Sequence, residues 1–442
     1  MICIADVLPV SNNVRRTPSE NLYECTNGYI CFLMRFLKAD YIFPVSSAPI
    51  KNGIISIEDD GTVIEIIEDG KKTQEPRVKS QGSKIEIFRG IICPGFVNAH
   101  CHLELSHLEN KLTPGKGLPH FIKEIARGRN APDEEIKTAI EKAEEEMIAE
   151  GIVAVGDISN TNHSFEQKKK GKLRYHTFIE IFDLVPERAE EKFENGLQLL
   201  RELNDSQIRN PKSEIRNFAS IVPHAPYTVS TKLLKLINDF ADAEGSVLCI
   251  HNEETSSENE MFLERKGELF ETLSSFGDYY KNWKATGLPS LASTLVHLPK
   301  CNKMQLVHNT YTTSEDITWS HLYSMMVWWC TCPRANLFIE NKIPDYKIFI
   351  DAGCRMTVGT DSYASNWSLS ILEELKTISK HASYVTLETL IRWSTLNGAE
   401  FLGFEKETGS IEKGKIPGLN LITNINFETL KLTDDSEIKK LI

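Results

Sequence analysis

The sequence predicts an α/β fold, a (β/α)8 TIM barrel accompanied by a small β domain that both chain ends build. Between about Ile91 and Leu402, apolar strand candidates alternate with amphipathic helix candidates in eight units. Short strand patterns with turn residues stand on either side, in 34–90 and 403–442. The alternation also permits an open doubly wound sheet, but no GxGxxG or P-loop signature follows any strand.

The amino-acid composition limits the possible binding partners of the protein and indicates its cellular compartment. The chain has 442 residues, of which 41% are apolar and 25% charged, and a net charge of −12. This balance is typical of a globular protein and argues against nucleic acid as a partner. No apolar run reaches membrane-spanning length, so no membrane association is expected. Ten cysteines without framework spacing indicate a reduced, cytoplasmic protein. The basic run Lys168–Lys172 is predicted to be a solvated loop.

The first 33 residues do not fit the pattern that follows them. They show no clear periodicity, whereas a strand-like alternation begins at Met34. We interpret 1–33 as an N-terminal extension that is disordered or lies upstream of the natural start at Met34.

The two flanking segments read as strands and turns. In the first, Asp59–Gly61 separates two alternating apolar runs, which is a good hairpin signal. A similar texture returns from Gly409 to Leu432. We therefore predict one split β domain, made of 34–90 and 403–442, around a barrel of 91–402.

Eight strand candidates follow one another in the middle segment. The first is the apolar run that begins at Ile91 and ends in His100 and His102. Amphipathic helices are predicted over His120–Arg127 and Asp133–Glu150, the latter ending at Gly151 as a C-cap glycine should. The other strand candidates are Ile152–Ile158, Tyr175–Phe182, Phe218–His224, Ser246–His251, Met304–His308, Met325–Cys332 and Cys354–Asp361.

Chemistry-bearing side chains end several of these strands. His100 and His102 are two residues apart, so on a strand they point the same way and can converge on one metal ion. His251 and Asp361 end two other strands, and the carboxyl ends of barrel strands surround one face. A lone histidine there is more often a core residue, but five of the twelve histidines end strands. The pattern predicts a single divalent ion held by His100, His102, His251 and Asp361.

Six motifs resemble, in this order, those of the amidohydrolase superfamily: PGFVNAHCHLE, PHAPYTVS, HNEE, LVHN, CPRANL and VGTDSYASN. The similarity is to its branch of cytosine, guanine and adenosine-type deaminases and triazine hydrolases, and it extends from about Met34 onward. It implies a distorted (β/α)8 barrel with a flanking β-sandwich and a mononuclear centre, with Zn²⁺ favoured and Fe²⁺ the alternative. The HLELS sequence is similar to that of aminodeoxyfutalosine deaminases.

The resemblance also implies catalytic roles. Glu254 matches the glutamate that shuttles protons, and His308 matches the histidine beside the metal-bound water. Water on a divalent ion ionises near neutral pH and can attack an electron-poor ring carbon. Glu254 would then protonate a ring nitrogen, Asp361 would accept the water proton, and His308 would stabilise the oxygen.

Substrate contacts are predicted at five further positions. His224 is expected at the polar edge of the substrate because the resemblance places it there. Glu104 follows the histidine pair closely enough to face the pocket. Arg334 would bind a substrate anion or form a structural salt bridge, and Asn336 accompanies it in CPRAN. Trp367 would be either pocket wall or core.

Together these features predict a metal-dependent hydrolytic deaminase of an amino-substituted purine or nucleoside-like heterocycle. The substrate would be of the aminodeoxyfutalosine, adenosine or S-adenosylhomocysteine type. Two alternatives are hydrolysis of a cyclic amide or of a C–Cl or C–S bond on the same metal, and a non-catalytic binding scaffold. The expected partners are a small heterocycle and a second copy of the chain in a homodimer, the latter from the resemblance only.

Overall fold

The computed structural model describes residues 34–68, 85–208, 217–277, 279–280 and 283–442. It also describes three two-residue strands near the amino terminus, β1 (Arg15–Arg16), β2 (Tyr23–Glu24) and β3 (Ile30–Cys31). The extension predicted over 1–33 otherwise lies outside the described residues.

Seventeen further strands follow along the described chain. They are β4 (Arg35–Lys38), β5 (Tyr41–Ile42), β6 (Ile50–Lys51), β7 (Ile54–Ile57), β8 (Val63–Ile67), β9 (Ile85–Ile87), β10 (Ile91–Pro94), β11 (Phe96–Cys101), β12 (Ile152–Ser159), β13 (Arg174–Ile181), β14 (Phe218–Pro223), β15 (Leu248–Asn252), β16 (Met304–His308), β17 (Val327–Thr331), β18 (Arg355–Val358), β19 (Leu419–Thr423) and β20 (Glu437–Lys440).

Two sheets are formed by strands from the chain ends. One has the order β8-β7-β4-β9 and contains the predicted hairpin, since β7 and β8 pair antiparallel and Gly61 N donates to Glu58 O over 3.0 Å. The other has the order β20-β19-β10-β5-β6 and therefore joins the two ends of the chain. The prediction that both ends contribute to common β structure agrees with this pairing.

The apolar run that begins at Ile91 forms two strands, so the prediction of one strand there is wrong. β10 pairs with β19 and β5, whereas β11 pairs with β12. Gly95 lies between them, where a Cβ atom would be 2.3 Å from Val153 Cγ1 and 2.9 Å from Pro417 O. Only glycine fits this close approach, and the chain changes sheets there. The division of the chain at residue 90 stays a prediction.

Eight parallel strands form the middle of the chain, in two sheets of order β11-β12-β13-β14 and β15-β16-β17-β18. The sheets meet at both edges. His251 N donates to His224 O over 2.9 Å at one edge. At the other, Cys101 and Asp361 form an isolated parallel bridge, and Thr360 N donates to His100 O over 3.1 Å. All eight strands predicted for this segment are therefore present.

Helices follow these strands and cover the sheets. The helix Asp133–Ala149 has three acidic residues in its first turn, and their charges stabilise the amino-terminal end of the helix dipole. It buries Ile136, Ile140 and Met147, which follow helical spacing. The α-helices are Leu118–Gly128, Asp133–Ala149, Phe165–Lys168, Ala189–Ile208, Thr231–Glu244, Ser256–Glu264, Glu268–Ser274, Ser290–Leu295, Ser314–Tyr323, Pro333–Glu340, Tyr346–Asp351, Ile371–His381, Leu387–Trp393 and Leu396–Leu402, with 3₁₀ turns at Leu103–Leu108 and Pro186–Arg188.

Lys168 departs from the predicted solvated loop. It is the last residue of the helix Phe165–Lys168 and only 1% exposed, so the prediction is wrong at this position. The charge is buried because Asp157 lies 2.6 Å from its Nζ. Among the described helices, none has the length and apolar character needed to cross a membrane.

The apolar core is divided. The largest cluster fills the space between the parallel strands and their helices. A second cluster, here called the cap cluster, is made of residues that all follow the carboxyl ends of strands: Leu108, Leu112, Leu118, Ala225, Tyr227, Met261, Phe262, Leu269, Leu273, Phe338, Ile339 and Ala364. A floor of strand ends and an apolar cap therefore enclose the region where the candidate site lies.

Candidate active site

Strand ends bring four of the predicted residues together. His102 Nε2 lies 3.1 Å from His100 Nε2 and 3.4 Å from Asp361 Oδ1, and the ring centroids of His100 and His251 are 5.0 Å apart. His308 joins His100 and His251 in a group whose ligand atoms lie within 4.8 Å of one another. Each of these five side chains is at most 7% exposed. The structure thus brings five of the six predicted metal and catalytic residues into one buried cluster, and the sixth is Glu254.

Asp361 reaches the histidines because a glycine precedes it. A Cβ atom on Gly359 would lie 2.7 Å from His100 O, so no other residue permits this approach of the last strand to the first. Asp361 itself has φ +57° and His308 has φ +75°, a left-handed conformation that is uncommon for these residue types. Ser365 Oγ donates to Asp361 Oδ2 over 2.6 Å and fixes the carboxylate.

Partners on the far side of two rings determine which nitrogen faces the cluster. His251 Nδ1 lies 2.8 Å from the carbonyl oxygen of His224, so it donates there and leaves Nε2 as the free lone pair. His308 Nδ1 lies 2.9 Å from Asn336 Oδ1. Asn336 also donates to the His308 carbonyl over 3.3 Å, which holds the ring and the backbone together.

The histidines are neutral and therefore suited to metal binding. Burial, followed by the neighbouring histidines, lowers the pKa of His100 and His102 well below the ordinary value. Burial and His224 lower the pKa of His251 to about 3. Three neutral imidazoles and one carboxylate that converge without a donor between them are the ligand set that a divalent cation takes. The residues present fit a metal ion.

A second set of possible ligands consists of Glu180, His224 and His251. It shares His251 with the first set. Because His251 Nδ1 already donates to a carbonyl oxygen, that ring has one lone pair to offer. His251 can therefore give its lone pair to only one of the two sets.

Glu254 lies beside this cluster. Its Oε1 is 3.5 Å from His308 Nε2, and the residue is 4% exposed. Burial, with smaller contributions from Asp361 and Glu340, raises the pKa of Glu254 well above its ordinary value. Burial therefore favours the protonated form of this carboxyl group.

Glu258 was not among the predicted site residues, yet it shapes the turn that carries Glu254. Its carboxylate accepts hydrogen bonds from the backbone nitrogens of Glu253 and Glu254 over 3.2 and 3.3 Å. Ser290 Oγ donates to the same group. Burial raises the pKa of Glu258 to about 8. The sequence shows only a crowd of glutamates here, so the partner of each one is visible only in the folded chain.

A cavity of about 320 Å³ opens over the cluster. Its apolar wall comes mainly from the helix Leu118–Gly128 and from Leu273 and Phe276. Its polar wall holds Arg129, which follows that helix, and residues at or after strand ends: His102, Asn160, Glu180, His224, His251, Glu254, His308 and Asp361. One side of a bound molecule would therefore meet aliphatic and aromatic groups while the other met titratable ones.

Of the five predicted substrate contacts, His224 lines this cavity, with its Nδ1 2.9 Å from Thr228 Oγ1. The other four are not among the described residues that line it. Glu104 is buried and accepts from Arg129 Nη2 over 3.0 Å and from two backbone nitrogens that follow β12.

The remaining three contact protein groups. The Arg334 guanidinium lies 5.3 Å from the ring centroid of Trp367 and 3.6 Å from Glu373. Trp367 is 47% exposed. Asn336 holds His308, as described above. These contacts match the structural salt bridge considered for Arg334, and a substrate role for Glu104, Arg334, Asn336 and Trp367 stays a prediction.

Three residues of the polar wall, Arg129, Asn160 and Glu180, were not predicted. Glu180 lies at the end of β13, where it interrupts an apolar run, and this interruption is a signal that the sequence offers. Arg129 follows the helix Leu118–Gly128 and donates to Glu104 and Asn160. Its position depends on the path of a loop, so no spacing rule indicates it.

Comparison with known proteins decides the family. The profile described as "Amidohydrolase family" matches residues 91–442. The chain belongs to the amidohydrolase family. This confirms the family predicted from the motifs, and with it the predicted class, a hydrolase acting on non-peptide carbon–nitrogen bonds.

Relatives of this amidohydrolase include an adenosine deaminase of Helicobacter pylori, 26% identical over 83% of this chain and 87% of that protein. An aminodeoxyfutalosine deaminase of Deinococcus radiodurans is 28% identical over 71% of this chain and 73% of that protein. The branch predicted from the motifs is the one to which these relatives belong.

Solved structures show the same fold. The aminofutalosine deaminase of Helicobacter pylori in complex with methylthio-coformycin matches with a TM-score of 0.73 and 22% identity, over 89% of this chain and 93% of that chain. An adenosine deaminase from Xanthomonas campestris with bound zinc matches with a TM-score of 0.69 and 20% identity, over 90% and 86%. The amidohydrolase therefore has an α/β fold similar to that of deaminases of the TIM-barrel type.

Proposed function

We propose that this amidohydrolase is a metal-dependent hydrolytic deaminase of an adenosine-like compound. The observation that carries the proposal is the placement of Glu254 and His308, 3.5 Å apart, beside a convergent set of three histidines and one aspartate at the base of a cavity. Relatives named as deaminases of adenosine, aminodeoxyfutalosine and 5-methylthioadenosine/S-adenosylhomocysteine support the substrate class.

The metal is proposed to be one zinc ion, with iron as the alternative. His100, His102, His251 and Asp361 would hold it. Nitrogen and oxygen ligands of this kind suit both metals, and the zinc in the Xanthomonas campestris deaminase supports the choice of zinc. When bound, the ion would supply a water molecule that is nucleophilic at neutral pH.

The protein's own groups would carry the protons. Glu254, whose burial favours its protonated form, would donate its proton to a ring nitrogen as the adjacent carbon is attacked. It would then take the proton of the added hydroxyl group and pass it to the departing amine, and the proton held by Asp361 would restore Glu254. His308 presents Nε2 to the cavity because its Nδ1 is bonded to Asn336. Asp361 would accept the proton of the attacking water, and His308 would stabilise the oxygen that gains charge. His224 would contact the polar edge of the substrate.

The architecture is proposed to be a distorted (β/α)8 barrel with a flanking β-sandwich. Hydrogen bonds at both edges of the two parallel sheets support closure of the barrel. Leu37 and Ile55 of one terminal sheet and Ile92 and Leu419 of the other share one apolar cluster, which supports the sandwich. The predicted segments 34–90 and 403–442, joined by β10, would form it, and the barrel would begin at β11 and extend to 402. A cytoplasmic homodimer stays a prediction.

The test is ammonia release by the purified, metal-analysed protein. The substrates are adenosine, 5′-methylthioadenosine, S-adenosylhomocysteine, aminodeoxyfutalosine, guanine and cytosine. Release from a purine nucleoside is expected, and Glu254→Gln should lower kcat by about 10²- to 10⁴-fold at unchanged metal content. The matched control is Glu260→Gln, which alters an exposed carboxylate of the next helix and should retain activity.

Two outcomes would contradict the proposal. If no substrate of the panel releases ammonia although about one metal ion is bound per chain, the site would instead act on an amide or on another leaving group. If no ammonia is released and no metal is bound, the non-catalytic scaffold would be favoured.

A further inference from the structure

One carboxyl oxygen in the wall of the cavity accepts no hydrogen bond from any residue that the structure describes. Glu180 ends β13, is 4% exposed and lines the cavity. Its Oε2 accepts a hydrogen bond from Asn160 Nδ2 over 2.9 Å. Its Oε1 is buried and has no hydrogen-bond partner among the described residues. A buried acceptor without a donor is costly, so such groups deserve a functional explanation.

Glu180 does not serve as the partner that orients His251. The distance from Glu180 Oε1 to His251 Nδ1 is 3.7 Å, too long for a hydrogen bond. The same Nδ1 already donates to His224 O over 2.8 Å. Arg129 is likewise engaged, with Glu104 and Asn160. The free oxygen of Glu180 therefore has to find its donor in a ligand or in solvent.

Asn160 holds this carboxylate rigidly. Its Nδ2 donates both to Glu180 Oε2 and to the Glu180 carbonyl, each over 2.9 Å. Its own carbonyl oxygen accepts from Arg129, and its backbone nitrogen donates to Glu104 over 3.1 Å. Asn160, held by Arg129 and Glu104, therefore fixes Glu180 in the wall of the cavity.

We propose that Glu180 binds a hydroxyl group of the substrate, on the part that does not react. The proposal rests on the proposed function, because an adenosine-like compound offers few donors. Its ring nitrogens N1, N3 and N7 are acceptors, and its amine is the leaving group. The remaining donors are the hydroxyls of the sugar. Glu180 would therefore select nucleosides over free bases and over nucleosides that lack the bound hydroxyl.

Direct binding tests this in the Glu254→Gln background, where turnover is slow. Calorimetric titrations with adenosine, 2′-deoxyadenosine and 3′-deoxyadenosine give three dissociation constants. We expect one of the deoxynucleosides to bind about 10- to 100-fold more weakly than adenosine, because a buried carboxyl oxygen is then left without its donor. Adding Glu180→Gln should weaken the binding of adenosine by a similar factor and should leave the binding of that deoxynucleoside nearly unchanged. The effects of removing the hydroxyl group and of changing Glu180 are therefore not additive.

The matched control is Glu144→Gln, which alters a carboxylate that is equally buried but is bonded to Tyr175 Oη over 2.9 Å outside the cavity. It should leave all three dissociation constants unchanged. Equal weakening of all three nucleosides by Glu180→Gln, with a fall in metal content, would overturn the proposal and show that Glu180 acts on His251. Absence of binding by all three would also overturn it.

The two proposals fail separately. If adenosine binds through Glu180 but the wild-type protein releases no ammonia from any nucleoside, the hydroxyl contact stands and deamination is refuted. If ammonia is released with equal efficiency from all three nucleosides, deamination stands and the contact is refuted.

Discussion

Two buried polar clusters lie on neighbouring strands and are built on opposite principles. The first is the candidate metal centre that follows β11. The second, here called the Lys168 network, consists of Asp157 and Ser159 on β12, Thr177 on β13 and Lys168 on the helix between these strands. Cys101 and Asp157 are partners across β11 and β12, so only one strand position separates the clusters.

In the Lys168 network, the hydrogen-bond donors of Lys168 are all paired with acceptors of the network. Lys168 Nζ lies 2.6 Å from Asp157 Oδ2, 3.0 Å from Ser159 Oγ and 3.1 Å from Thr177 Oγ1, which uses its three donors. Asp157 Oδ1 accepts from Leu103 N over 2.8 Å. The metal centre instead gathers acceptors that face one another. A buried cluster that pairs its own donors and acceptors stabilises the fold, whereas one that leaves lone pairs convergent is built for a ligand.

The largest expected effect comes from changing the convergent cluster at Asp361. Asp361→Asn should lower kcat/KM by at least about 10³-fold, because the variant loses an anionic ligand and a proton acceptor. The free energy of unfolding of the metal-free protein should stay within about 1 kcal/mol of the wild type or rise, since a buried charge is removed. Asparagine keeps an oxygen for Ser365 and tolerates the left-handed backbone of this position. Steady-state kinetics, metal analysis and urea denaturation measure the three quantities.

A large loss of stability in the metal-free variant would contradict this. It would mean that Asp361 is paired in the folded protein as Lys168 is, and the contrast between the clusters would fail.

The Lys168 network should show the opposite behaviour. Lys168→Met removes the partner of a buried carboxylate and should lower the free energy of unfolding by about 3–5 kcal/mol. The double variant Lys168→Met with Asp157→Asn should recover part of that loss because no unpaired charge remains. Denaturation curves for the two single variants and the double variant measure the coupling. Metal content per folded chain should be retained, and its loss in Lys168→Met alone would show that the network also positions the chain after His102.

The meeting of strand-end side chains in the candidate metal centre was predictable because two geometric rules determine where these side chains lie. Side chains two apart on a strand share a face, and parallel strands end on one side of the sheet. These rules bring His100, His102, His251 and Asp361 together whatever the loops do. The break at Gly95 was not predictable, because the apolar run continues across it and only the packing of Val153 shows the change of sheet.

Side chains on loops and helices escape such rules. Lys168 belongs to a run of lysines that looks solvated, and its burial depends on an acidic partner on another element. Glu104 was expected to face the substrate, but its acceptors are used by Arg129 and the backbone after β12. Glu180, which does face the cavity, gave only the weak signal of a carboxylate within an apolar strand. In each case the deciding fact is which partner the fold supplies.

His176 offers the smallest and cleanest test of the comparison, because it is a buried histidine with both nitrogens paired. Its Nδ1 lies 3.1 Å from Leu402 O and its Nε2 lies 2.8 Å from Ser220 Oγ, so the neutral ring is satisfied as the Lys168 network is. Burial lowers the pKa of His176 to about 4. In the unfolded chain the pKa is about 6.5, so the unfolded state binds the extra proton between these values and stability falls as the pH drops through this window.

Between pH 7 and pH 5 this single group should cost the wild-type protein about 2 kcal/mol of unfolding free energy. His176→Gln should remove that part of the pH dependence while it leaves kcat/KM at pH 7 within about twofold, since the residue touches no group of the cavity. Urea denaturation of the metal-free protein at both pH values gives the difference. Metal-free protein is used because protonation of the site histidines would release a bound ion and add a second pH dependence. Identical pH dependence in wild type and variant would show that His176 carries a proton in the folded state. Pairing of both ring nitrogens would then fail to mark a buried histidine as structural and neutral, and the distinction between self-satisfied and ligand-seeking clusters would need a further criterion.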